Sequence, residues 1–195
     1  MRVIAGKYRS RPLRSVPGMN VRPTSDRLRE TLFDVLTAGN PAGLEGSVWL
    51  DLFAGTGAVG IEALSRGAKQ VCFVESSAAA ASVIRQNLES LGIVSGYKLY
   101  QEGLPRAFWR MEREHVAADV VFIDPPYRMK EAYRETLRVL AESPVLWAMS
   151  MVIAEHEKRF DPGEEFGPLR KFRKLIQGDA ALSFYRMASA ADVRG

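Results

Sequence analysis

The sequence predicts an α/β fold: a central, mostly parallel, seven-stranded sheet with helices on both faces and an antiparallel C-terminal hairpin. Three observations carry this. Short apolar runs alternate with helix-patterned stretches from about residue 26 to 154, the signature of right-handed βαβ units around a parallel sheet. The apolar runs are nearly continuous, as in strands covered on both faces. Near the end, two strand-like runs flank Gln177-Gly178-Asp179, a hairpin signal.

The elements follow in order. Leu28, Leu32, Val35 and Leu36 recur at helical spacing and make one apolar face. Thr24 or Ser25 can cap that helix, and Gly39 with Pro41 ends it. Residues 48–52 read as a buried strand, 58–65 as a helix stopped by Gly67, and 71–75 as the second strand. A helix over 77–91 closes at Gly92, and a third strand over 97–101 precedes a helix over about 104–115. Strand four is 120–123, a helix lies near 130–142, and strand five is 151–154. The closing hairpin pairs 169–176 with 181–187. Residues 1–24 contain Gly6, Pro12, Pro17, Gly18 and Pro23 with little periodicity, and read as a basic hairpin or arm. Residues 25–195 read as one domain.

Length and composition exclude several classes. At 195 residues, 47% hydrophobic and 26% charged, the chain has the balance of a folded globular protein. No apolar run is long enough to span a bilayer, and the first residues lack the apolar stretch of a secretory signal. A cytoplasmic protein is expected. The single cysteine, Cys72, excludes an internal disulfide. Of the net charge of +4, residues 1–30 hold eight Lys or Arg and two acids, while the remaining 165 residues hold 19 basic and 21 acidic groups. A basic segment beside a near-neutral body fits a polyanionic partner such as nucleic acid, or a solvated tail. Arg9, Arg11, Arg14 and Arg22 are the candidate nucleic-acid contacts.

Two loops carry chemistry. Asp51-Leu52-Phe53-Ala54-Gly55-Thr56-Gly57-Ala58-Val59-Gly60 joins the first strand to the next helix. In an open α/β sheet this edge binds ligands, and glycine lets the backbone turn sharply against one. Glu75, 20 residues after Gly55, ends strand two, where a carboxylate can take both ribose hydroxyls. Gly55, Gly57 and Gly60 formally match a dinucleotide pattern. Asp51 argues against it: a carboxylate repels a pyrophosphate and attracts the sulfonium and ammonium of S-adenosylmethionine. The second loop, Asp124-Pro125-Pro126-Tyr127, follows strand four. Strands one and four are commonly adjacent in such folds, so this loop is expected beside the first. Asp124 and the Pro125 carbonyl can accept the two N–H bonds of an aromatic amine and aim its lone pair at a methyl group. The prolines stiffen the loop, and Tyr127 offers a face for an extruded base.

Together the two motifs resemble the class I amino-methyltransferases. Arg22-Pro23-Thr24-Ser25-Asp26-Arg27-Leu28-Arg29-Glu30-Thr31-Leu32-Phe33, the run from Leu50 to Ala68, and the opening Ile4-Ala5-Gly6-Lys7-Tyr8-Arg9-Ser10-Arg11-Pro12-Leu13 are similar to the RsmD-type family. Those enzymes methylate the N2 amine of a guanine in 16S ribosomal RNA. The match is strong to about Tyr127 and weaker past residue 155. The resemblance implies a Rossmann-like class I methyltransferase fold and S-adenosylmethionine as cofactor. It implies Asp51, Phe53, Gly55, Thr56, Gly57 and Glu75 around that cofactor, with Glu102, in Gln101-Glu102-Gly103, as counterpart of the family's adenine-binding acid. It implies Asp124, Pro125, Pro126 and Tyr127 around the amine. Ribosomal RNA in a partly assembled small subunit, with its proteins, is the implied partner.

Rival readings are a DNA adenine-N6 methyltransferase, a catalytically silent RNA-binding assembly factor and an NAD-dependent oxidoreductase. No target-recognition insertion supports the first, the intact second loop argues against the next, and Asp51 against the last. Cys72 sits in an apolar strand and reads as packing. His115 and His156 have no metal spacing, and no metal site is expected. Glu155, His156 and Glu157 either line the substrate cleft or form a solvated strand end. Asp26, Arg27, Arg29 and Glu30 are either surface charges or part of a lid over the cofactor.

Overall fold

The structure is a computed structural model that describes residues 1–16, 25–40 and 42–188. It divides into two units, Met1–Gly103 and Leu104–Gly195.

In the first unit, α1 (Asp26–Thr37) is capped by Ser25, whose hydroxyl accepts from Leu28 N. Then come β1 (Val48–Leu52), α2 (Ala58–Ser65), β2 (Gln70–Val74), α3 (Ala78–Ser90) and β3 (Tyr97–Tyr100). The strands lie parallel in the order β3-β2-β1. All but the first residue of β1 and of β2 are buried, so both strand faces are covered. Phe33 of α1 stacks on Trp49 of β1 with ring centroids 5.2 Å apart.

Residues 1–16 fold back on this unit. Arg2 and Pro12 form an antiparallel bridge. Gly6 has φ +80, and a Cβ there would lie 1.8 Å from the Ser65 carbonyl oxygen, so only glycine fits. The buried Glu62 carboxylate accepts from Ile4 N at 2.7 Å, Ala5 N at 2.9 Å and Arg66 Nε at 2.8 Å. Arg29, fully buried, donates to the Arg2 carbonyl and to Asp26 Oδ1, with its Nε 3.8 Å from Glu62 Oε2. Burial lowers the Arg29 pKa, and the charges of Glu62 and Asp26 oppose that. Arg29 is therefore neither a surface charge nor a lid residue. It is a core cation that ties α1 to α2, because a buried guanidinium needs a carboxylate partner. Asp26, Arg27 and Glu30 remain on the surface.

The second unit holds α4 (Leu104–Arg113), β4 (Ala118–Ile123), α5 (Lys130–Glu142), β5 (Leu146–Glu157), β6 (Glu165–Phe166), β7 (Leu169–Gln177) and β8 (Ala180–Met187). β4 and β5 are parallel, and β5-β8-β7-β6 is antiparallel. The expected hairpin is present. The strand count is corrected from seven to eight among the described residues, the addition being the two-residue β6. Two residues leave no periodicity to read, and pairing with Leu169 and Arg170 alone defines them. β5 is 12 residues long where an apolar run of four was expected. Its polar end, Glu155-His156-Glu157, pairs with Leu182, Ala181 and Ala180.

Candidate functional site

The loop after β1 is built on left-handed backbone. Phe53, Gly55 and Gly57 have φ of +61, +55 and +75. Glycine adopts this freely, but Phe53 does not, and a bulky residue there is held by its surroundings. The turn is fixed by Ala54 N donating to the Val74 carbonyl at 3.0 Å and Gly57 N to the Ala54 carbonyl at 2.7 Å. Gly60 serves packing: a Cβ would meet Phe73 Cε1 at 2.3 Å, so α2 could not lie this close to β2.

Two carboxylates frame the loop. Asp51 is 2% exposed, and its Oδ2 accepts from Gly60 N at 2.9 Å. Burial pushes its carboxyl up to about 7; the Gly60 N–H opposes this and the Glu75 charge adds to it. Glu75 is half-buried. Its Oε2 accepts from Gly55 N at 2.9 Å and its Oε1 from Ser77 N at 2.7 Å, leaving lone pairs on both oxygens. Glu102 stands half-buried between β3 and α4.

Asn87 was not anticipated. Fully buried on α3, it donates to the Thr56 carbonyl at 3.0 Å and to the Arg14 carbonyl at 3.2 Å, and accepts from Arg14 N at 2.8 Å. It links the N-terminal segment to the loop. A signal existed: Asn87 occupies an apolar-stripe position with Ala80, Ile84 and Leu88. Glu62 lies likewise inside a helix with almost no exposed face. Of the candidate RNA contacts, Arg9, Arg11 and Arg14 are exposed. Arg11 reaches the Ser90 carbonyl at 2.9 Å and Arg14 reaches Gln86 Oε1 at 3.1 Å. Arg22 lies outside the described residues, as do Pro17, Gly18, Pro23, Thr24 and Pro41.

The loop after β4 places Asp124, Pro126 and Tyr127 half-buried and Pro125 buried. Its second unanticipated member is Tyr133, fully buried on α5, whose hydroxyl donates to the Pro125 carbonyl at 3.1 Å. Burial first, then the Asp124 charge, raises the Tyr133 pKa well above the ordinary phenol range, so it stays a donor. Pro126 accepts from Met129 N at 2.7 Å, which closes the turn. Tyr127 donates to Glu155 Oε1 at 3.4 Å.

The end of β5 is thus no solvated tail. Glu155 is 3% exposed and supports Tyr127. His156 is fully buried, with Nδ1 2.8 Å from the Glu157 carbonyl and Nε2 2.8 Å from Ser183 Oγ. A carbonyl only accepts, so Nδ1 carries the proton. Burial lowers the His156 pKa, which makes the ring a neutral packing partner, edge-on to Tyr133 and Phe160. Glu157 is exposed, and Cys72 is buried. Among the described residues no group of three His, Cys, Asp or Glu could hold a metal ion, and no helix is long and apolar enough to cross a membrane.

The chain is similar to several known proteins. A family model described as Conserved hypothetical protein 95 matches residues 1–186. The chain is 35% identical over 158 residues to "Ribosomal RNA small subunit methyltransferase D" of Haemophilus influenzae, spanning 81% of this chain and 79% of that protein. It is similar to the structure of a hypothetical protein of Thermus thermophilus, with TM-score 0.77 and 27% identity over 94% of this chain and 98% of that one. An RNA methyltransferase from Salinibacter ruber, in complex with S-adenosyl-L-homocysteine, has TM-score 0.65 over 86% of this chain and 95% of that one. At 15% identity that likeness shows the fold alone, which is the α/β methyltransferase fold the sequence predicts.

Proposed function

The chain belongs to the Conserved hypothetical protein 95 family, and from that premise we propose that it transfers a methyl group from S-adenosylmethionine to the N2 amine of a guanine in small-subunit ribosomal RNA. One observation carries the reading: the chain has both a glycine loop framed by Asp51 and Glu75 and an Asp124-Pro125-Pro126-Tyr127 loop with a fixed carbonyl. In this proposal residues 25–195 act as one methyltransferase domain, and residues 1–24 as a basic arm on the RNA. The substrate implies a cytoplasmic protein acting on a partly assembled small subunit and its proteins. The name of the Haemophilus influenzae relative supports the RNA class.

The residues present fit the cofactor. Asp51 is a buried carboxylate with its pKa raised to about 7, and a nearby cation would favour its charged form. A sulfonium or an ammonium supplies that cation, and a pyrophosphate does not. Glu75 keeps lone pairs for two ribose hydroxyls, and in this reading Glu102 takes the adenine. Phe53, Gly55, Thr56 and Gly57 give the wall. When bound, S-adenosylmethionine supplies an electrophilic methyl group.

On the amine side, Asp124 accepts one N–H of the guanine amine. The Pro125 carbonyl accepts the other through the lone pair that Tyr133 does not use. With both N–H bonds held, the nitrogen lone pair leaves the ring plane and points at its target, which is catalysis by orientation and by acceptors aligned with developing charge. Tyr127 stacks on the base, and its bond to Glu155 sets the ring direction. The test is transfer of labelled methyl to 16S RNA, free and in small-subunit particles, followed by nucleoside identification. N2-methylguanine is expected. Label confined to another nucleoside, or calorimetry showing tighter binding of NAD than of S-adenosylmethionine, would overturn the reading.

A further inference from the structure

Two strand exits of the second unit repeat one another. β4 and β5 run parallel, with Ile123 opposite Ala154. After β4, Met129 N donates to the Pro126 carbonyl at 2.7 Å; after β5, Phe160 N donates to the Glu157 carbonyl at 3.0 Å. Each bond closes a β-turn. Tyr127 and Arg128 form the tip of the first, Lys158 and Arg159 the tip of the second. Arg128 lies five residues past Ile123, and Arg159 five past Ala154. Both arginines are exposed. Neighbouring strands thus carry an exposed arginine at matching positions, one of them directly after the tyrosine offered to the base.

One ring joins the two turns. Phe160 packs on Tyr133 with ring centroids 5.2 Å apart, and Tyr133 in turn holds the Pro125 carbonyl. Lys130, exposed at the start of α5, has its Nζ 5.7 Å from the centre of the Phe160 ring. Phe160 therefore ties the second turn to α5 and to the Asp124–Tyr127 loop. Two other cations here serve the fold: Arg134 pairs with Glu131 at 2.7 Å, and Lys158 with Asp179 at 2.8 Å. The same edge is acidic. Asp124 is half-buried, Glu155 buried and Glu157 exposed, and the charges of all three reach the Tyr133 hydroxyl.

Resting on the reading above, we infer that Arg128 and Arg159, with Lys130, hold the RNA phosphates that flank the extruded guanine. A base taken out of its stack into a pocket brings its own two phosphates to the rim of that pocket. The carboxylates that suit the amine repel those phosphates, so a site of this kind needs cations at its rim. Arginine suits the task, because its planar edge gives a phosphate two parallel N–H bonds. Such contacts carry no base selectivity; they fix where the strand lies, and so which nucleotide reaches the loop. An acidic protein segment would match the charge, but it has no base to set on Tyr127, the residue beside Arg128.

The experiment compares the wild-type chain with Arg128→Ala, Arg159→Ala, the double variant, the matching lysine variants and Arg138→Ala, the last at an exposed position further along α5. Each is titrated with 16S RNA and with small-subunit particles across a range of salt. Melting temperature and S-adenosylhomocysteine affinity are recorded for each. Each alanine at Arg128 or Arg159 is expected to flatten the slope of log K against log salt by about 0.7, and the pair by roughly 1.4. The lysine variants keep the charge and the slope but bind more weakly, having lost the paired bond; they carry the comparison if an alanine variant melts lower. Cofactor affinity stays at the wild-type value throughout, and Arg138→Ala keeps the wild-type slope. Unchanged slopes in the alanine variants, or an equal fall in Arg138→Ala, overturn the inference and leave the methyltransferase reading standing. A slope kept on 16S RNA with binding to particles lost assigns the arginines to a protein partner, and also overturns it. A wild-type chain that binds neither RNA nor particles overturns both the inference and the reading beneath it.

Discussion

The loops after β1 and β4 position backbone groups by opposite means. The first uses glycine and tolerates a left-handed Phe53 to turn the chain tightly, with Gly55 N held by Glu75 and Gly60 N by Asp51. Its acceptors are side chains and its donors are amides. The second uses prolines, which have no amide to donate, and its working group is a carbonyl held by Tyr133. A site that must embrace a cation and hydroxyls needs carboxylates on a loop that can be bent. A site that must hold an amine's hydrogens needs acceptors that do not move.

The largest effect is expected at the acceptor itself. Asp124→Ala should lower methyl transfer by ~100-fold or more through loss of an aligned acceptor, while S-adenosylhomocysteine affinity, read by calorimetry, stays near wild type. Asp124→Asn should keep part of the rate, since its carbonyl oxygen still accepts one bond. Near wild-type turnover in Asp124→Ala would break the contrast between the loops by removing the second from the chemistry.

The next effect belongs to the glycine loop and depends on pH. Asp51 binds its proton more tightly folded, at about 7, than unfolded, at 3.8. Its contribution to stability is therefore full below about pH 4 and is lost as pH rises to about 7, a loss on the order of 4 kcal/mol for roughly three units at about 1.4 per unit. Asp51→Asn keeps an acceptor for Gly60 N and should remove this slope. Urea midpoints of both proteins at pH 5 and 7.5 measure it, and parallel pH profiles would show that Asp51 is not the group responsible.

The smallest effect sharpens the proline side. Tyr133→Phe removes the donor to the Pro125 carbonyl and nothing else. It should cost about 1 kcal/mol of stability and lower kcat several-fold, with the KM for cofactor unchanged. A raised cofactor KM instead would mean that Tyr133 acts through something other than the carbonyl.

How much of this could be read in advance differed from residue to residue. Asp51, Gly55, Gly57 and Glu75, and Asp124 to Tyr127, lie in short motifs, so the sequence alone singles them out as candidates. Tyr133, eight residues beyond Pro125, belongs to no motif and falls within the helix expected near 130–142. Glu155 lies 28 residues from Tyr127, and Glu62 meets backbone amides 57 and 58 residues away. The basic N-terminal segment was legible as charge, but not as a folded segment seated on Glu62, Ser65 and Asn87. Arg29, which the sequence offers as a surface charge or a lid residue, is buried.

Sequence by itself determined the alternation of strands and helices, the two loops and the residue types they carry. These depend on apolar periodicity and on the backbone freedom of glycine and proline, which each residue brings with it. Tertiary structure alone decided which buried polar groups support those loops, and which positive charges are structural. A buried hydrogen bond or ion pair exists only when two distant residues are brought within about 3 Å. Nothing in the local composition around Asn87, Tyr133 or Arg29 encodes which partner will be there.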